Sequence, residues 1–134
     1  MGPQESVVSH PPRVLLIMPQ QWPRALLRAE LREQGYDAIG ARNLSEAGRQ
    51  PAADPERGPV RLVLVDDAAL TTEHEGLLDP LLARHGGPPA ILLARAGHTA
   101  PRRSWTRVLH RPVRIDDLVQ AVRAILAAPR DSAE

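Results

Sequence analysis

The chain has 134 residues, 43% of them apolar and 25% charged, with 17 basic residues against 16 acidic ones. That is enough chain for one domain and one core, it is too apolar to stay disordered, and its near-zero net charge names no partner. There is no Cys, which excludes disulfides, thiolate catalysis and Cys-ligated metals together, and the aromatics Trp22, Trp105 and Tyr36 are too few for a single-strand stacking platform.

Residues 1–12 are polar with three prolines and 129–134 are polar too, so both are expected to be tails around a domain at 13–128. The start of the chain lacks the charged region, apolar run and cleavage motif of a leader. No apolar stretch approaches the roughly 20 residues of a membrane span, and a cytoplasmic location is expected. All the basic residues are Arg and none is Lys, which reads as the codon bias of a GC-rich genome.

The first strand is expected over 13–18, an almost continuous apolar run of the kind buried on both faces. Pro23 suits the first turn of a helix ending near Gln34, with Leu27 and Leu31 inward and Arg24, Arg28, Arg32 and Glu33 toward water. A weak strand over 37–41 leads to a short helix that Asn43 or Ser45 can cap. Residues 51–59, with prolines at both ends, read as a mobile loop.

The strongest strand signal is 60–65, ending on Asp66-Asp67. A third helix over 73–85 would bury Leu77, Leu78, Leu81 and Leu82, Pro80 must start, kink or split it, and His74 and His85 read as solvated helix-end residues. Strands over 90–93 and 107–110 follow. A last helix over 115–128 carries Asp116 and Asp117 in its first turn, where they complement the helix dipole. Strands alternating with helices imply a parallel sheet with crossover helices.

Three local sequences narrow the fold: LVLVD ending at Asp66, residues 41–47 after the second strand, and His110-Arg111-Pro112 followed by Asp116-Asp117-Leu118-Val119. From residue 13 to about 128 the chain resembles the receiver domains of bacterial response regulators. The resemblance implies an α/β, flavodoxin-like, doubly wound sheet of five parallel strands in order 2-1-3-4-5 with helices on both faces. It places the family's phospho-acceptor on Asp66. The acidic pair that holds Mg²⁺ falls on Met18 and Pro19, the hydroxyl residue on Ala94, the Lys on Arg111 and the aromatic switch on Val108. A pseudo-receiver is therefore expected: no enzyme, no cofactor or metal, and a signalling module that binds a protein. The alternative is a phosphorylatable receiver that uses Asp66 in an unusual site.

Neighbouring strand residues point to opposite faces, so Asp66 and Asp67 are not expected to aim into one site, and Asp67 can instead bond nearby amides of the following loop. Arg111 can pair with Asp66 in place of a metal-centred network, across a peptide bond to Pro112 for which the resemblance raises the prior of a cis form. The connection from Ala94 to Arg111 is shorter than the family's, and Gly97 and Pro101 interrupt it, so the fourth helix is expected to be short or absent. Between Arg95 and Arg114 the chain carries six Arg and no acid. Arg95, Arg102, Arg103, Trp105 and Arg107 are thus a candidate partner surface for an acidic protein, with homodimerisation open and neither nucleic acid nor a membrane favoured.

Overall fold

Strand β1 (Arg13–Ile17) is buried at every position, as its unbroken apolar run requires of a strand covered on both faces. It pairs in parallel with β2 (Asp37–Ala41) on one side and β3 (Val60–Asp66) on the other. Strand β4 (Ala90–Ala94) then joins β3, and β5 (Arg107–His110) joins β4, again in parallel, giving the order β2-β1-β3-β4-β5. This computed structural model describes residues 10–52, 54–96 and 104–127.

Four α-helices cover the sheet among the described residues: α1 (Gln21–Glu33), α2 (Leu44–Ala47), α3 (Leu78–Arg84) and α4 (Ile115–Ala127). Alternation along the strands divides the core into two layers. Val14, Leu16, Leu62 and Leu64 face Leu27 and Leu31 of α1 and Leu118 and Val122 of α4. Leu15, Ile17, Val63 and Val65 face Leu44 of α2 and Leu78, Leu81 and Leu82 of α3. The fold is the expected doubly wound α/β sheet. Residues 97–103, the centre of the connection in which the fourth helix was expected to be short or absent, lie outside the described residues. No helix among the described residues is long and apolar enough to cross a membrane.

Helix α1 starts at Gln21, which puts Pro23 in its first turn as expected, where a missing N–H costs no intrahelical bond. Other local expectations need correction. The third helix splits into a 3-10 turn (Glu75–Leu77) and α3, which puts Pro80 in the first turn of α3 and leaves Leu77 41% exposed instead of buried. His85 is buried, not solvated, because the chain turns back at Gly86 and Gly87 and folds the α3 terminus against the sheet.

The loop expected to be mobile is pinned over 54–59. The Arg57 guanidinium forks onto Asp37 at 2.8 and 2.6 Å, the amides of Glu56 and Arg57 donate to the Asp54 carboxylate, and the buried Arg13 donates to the Gly58 carbonyl at 2.9 Å. Gly58 takes a positive φ there, which few other residues accept.

Candidate functional site at the carboxyl ends of the strands

Strand β3 delivers Asp66 to the carboxyl edge of the sheet, opposite Leu93 of β4 in register and only 1% exposed. A buried carboxylate needs partners for both oxygens, and here it has three donors. The Ala68 amide reaches Oδ1 at 2.9 Å, Arg111 Nη1 reaches Oδ1 at 3.2 Å, and Arg111 Nη2 reaches Oδ2 at 2.8 Å. The first bond caps the 3-10 turn Asp67–Ala69. The other two form the planar fork that guanidinium and carboxylate share.

Arg111 is placed by the end of β5. Its amide donates to the Ala94 carbonyl at 2.9 Å, and the peptide bond to Pro112 is cis. Its hydrogen bonds to Asp66 hold the guanidinium proton more tightly than usual, burial opposes this, and the charges of Asp66 and Asp67 add to it.

Asp67 turns away from Asp66 to its own arginine. The Arg95 amide donates to Asp67 Oδ2 at 2.8 Å, and Arg95 Nε lies 3.2 Å from Oδ1. The expectation that Asp67 bonds amides of the following loop is therefore corrected: Asp66 caps that turn, and Asp67 ties β3 to the end of β4. The adjacent carboxylates diverge as strand alternation requires.

At the end of β1, Met18 is fully buried in the α1 and α4 layer and Pro19 is half-buried. Their carbonyls are taken by Arg24, whose Nη1 lies 2.7 Å from the Met18 oxygen and 3.3 Å from that of Pro19. Arg24, read from the sequence as facing water, instead folds back over the strand end. Ala94 is buried and offers no hydroxyl, and Val108 is half-buried on β5.

Magnesium takes an octahedral oxygen shell with one or two protein carboxylates. These residues do not fit that ion. Met18 and Pro19 provide no carboxylate, both Asp66 oxygens face a guanidinium, and Asp67 is bound to Arg95. No group of three or more His, Asp or Glu suited to a metal occurs among the described residues.

Of the candidate partner surface, Arg95 is exposed but ion-paired with Asp67, and Trp105 packs half-buried against the α2 and α3 layer. Arg107 is exposed and lines a cleft of about 450 Å³ with His110, Pro112 and Asp117. Arg102 and Arg103 lie outside the described residues. The Asp67–Arg95 pair was not foreseen: the sequence places the two residues 28 positions apart, and only the β3–β4 pairing brings them together.

At the level of sequence, no family model and no curated protein matches the chain. Solved structures do match. The signal receiver domain of an HD domain-containing protein from Pseudomonas fluorescens Pf-5 superposes with a TM-score of 0.72 at 21% identity, covering 93% of this chain and 100% of that one. The fold is that of a response-regulator receiver domain. The receiver domain of a Luxo repressor protein from Vibrio parahaemolyticus is similar, with a TM-score of 0.69, 19% identity and coverage of 87% and 91%. A CheY-like receiver protein from Methanospirillum hungatei JF-1 gives 0.69 at 16% identity, covering 91% and 98%. In the receiver fold seen here, the described site lies where strands β1, β3, β4 and β5 end, outside the carboxyl edge where open α/β sheets present their ligands.

Proposed function

We propose that this chain is a pseudo-receiver: a signalling module in the receiver fold that binds a protein partner without taking a phosphoryl group on Asp66. One observation carries this reading, the forked Asp66–Arg111 pair beside a β1 end that carries Met18 and Pro19 in place of carboxylates. Phosphoryl transfer to a carboxylate needs an unencumbered oxygen and a cation that neutralises the incoming oxygens. Here one fixed guanidinium engages both Asp66 oxygens, and the neighbouring Asp67 is held by Arg95. The pair takes the place of a switch with a constitutive tie between β3 and β5.

The partner surface in this reading is the acid-free run from Arg95 to Arg114, with Arg102, Arg103 and Arg107 as its candidate contact residues and an acidic protein as its complement. The domain occupies 13–128, flanked by tails, and works in the cytoplasm. Co-precipitation from the native extract with wild type, Asp66→Ala and the double variant Arg102→Glu/Arg103→Glu tests it. The expected result is partner capture by wild type and by Asp66→Ala, lost on charge reversal and weakened by added salt, because exposed charges are screened over about 8–10 Å at physiological ionic strength. Loss of the partner in Asp66→Ala with retention in the double variant would move the function to the carboxylate and sink the reading.

A further inference from the structure

Helix α1 is apolar on two opposite sides. Leu27 and Leu31 point into the core. At 100° per residue, Trp22, Ala25, Leu26 and Ala29 line the far side of the same helix, and all four are exposed. Trp22 is 79% and Leu26 48% exposed, two of the three large apolar side chains that the described residues leave in solvent. A second apolar stripe with nothing among the described residues packed on it is an unpartnered face.

We infer that this stripe is the contact between two copies of the chain, packed with their α1 helices antiparallel about a two-fold axis between Ala25 and Leu26. The side-chain sizes decide the occupant. In that arrangement Trp22 lies against Ala29 of the second copy and Leu26 against its Ala25, a large group facing a small one at every position. A two-fold interface must be self-complementary, and this one is. The alanines let the helix axes approach to about 8–10 Å, as tight helix pairs do.

The charges agree with the sizes. Arg28 faces Pro23 of the second copy and Arg32 faces Pro19, so no arginine meets another across the axis. Helix α1 has no acid in its first turn and no side-chain cap at Gln20. Antiparallel packing brings Glu33 of the second copy, which continues the stripe, to that uncapped positive end. Parallel packing would set Trp22 against its own copy and align the helix dipoles.

One helix pair covers less surface than the roughly 800 Å² per partner of a standard stable interface, so the dimer is weak and concentration-dependent. Sedimentation equilibrium of the full chain tests it. The expected wild-type average mass climbs from monomer toward dimer between about 10 µM and 1 mM. Trp22→Ala stays monomeric throughout. Ala29→Trp also loses association, because two indoles then meet at each end of the interface. The double variant Trp22→Ala/Ala29→Trp exchanges large for small on both copies and regains it. All these positions are exposed, and a melting curve for each variant verifies the fold. A wild type that remains monomeric at 1 mM overturns the inference and leaves the stripe to a different protein's helix. So does a dimer that survives Trp22→Ala, or a double variant no better than either single one.

Discussion

Burying the Asp66 carboxylate removes its hydration, and the Arg111 fork with the Ala68 amide is what replaces it. Removing only the cation leaves a charged group 1% exposed without its counter-charge. Arg111→Met should therefore destabilise the fold by about 2–4 kcal/mol, the lower part of the range for a half-exposed arginine. Asp66→Asn combined with Arg111→Met should cost less than Arg111→Met alone, and a double-mutant cycle by urea unfolding checks this. His85 makes a second residue-scale prediction. Both its ring nitrogens are buried. Burial first, then the charges of Arg84 and Arg13, hold its pKa below the usual 6.5, against a weaker opposing pull from the Ala52 backbone. A base whose folded pKa is lowered favours the neutral form in the native state, so the unfolded chain binds more protons as the pH falls. Its stabilising contribution is complete above about pH 6.5 and is lost below it, down to the folded pKa. Urea midpoints measured across that range should fall for wild type and stay flatter for His85→Leu; parallel curves would show that another group is responsible.

At the scale of elements, α2 is held by its cap together with the burial of Leu44 and Ala47. The Asn43 side chain accepts from the Glu46 amide at 2.7 Å, while the Glu46 carboxylate reaches back to the Arg42 amide at 2.6 Å. That arrangement is a variant of the capping box in which the Glu46 carboxylate reaches one residue past the N-cap, to the Arg42 amide. With only four helical residues, α2 has little propensity of its own. Asn43→Ala should cost about 1 kcal/mol, read as a lower thermal midpoint, whereas Ser45→Ala, inside the helix, should change it little. The choice between Asn43 and Ser45 was open in the sequence, because both residue types cap and their spacing to the apolar positions is similar. The split of the third helix was half legible. Pro80 announced a break, but only the observed 3-10 turn before Leu78 shows that the break leaves Leu77 outside. On α1, the inward face was readable from Leu27 and Leu31. The outward stripe was not, since alanines at 25 and 29 carry too little hydrophobic signal to mark a face.

For the molecule as a whole, parallel pairing was legible from the alternation of strands with helices, and the unbroken apolar runs of β1 and β3 marked them as central strands buried on both faces, while the strand order was implied by the resemblance. The candidate site was legible in part. Met18, Pro19 and Ala94 declare missing polar groups by their identity alone, and Arg111 beside Pro112 suggested the pair with Asp66. The contact of Arg95 with Asp67 depends on strand ends meeting across the sheet, and that of Arg24 with the β1 end on how the chain turns from β1 into α1, neither of which the residue pattern encodes. The burial of His85 also escaped, because a histidine at a helix end reads as solvated. In the proposed reading, Asp66 is committed to Arg111 and does not accept a phosphoryl group. Incubating the full chain with acetyl phosphate and Mg²⁺ and recording its intact mass tests that most directly, with a phosphorylatable receiver in the same tube as the positive control. The account predicts an unmodified mass while the control is modified; a species heavier by one phosphoryl group, absent from Asp66→Ala, would contradict it.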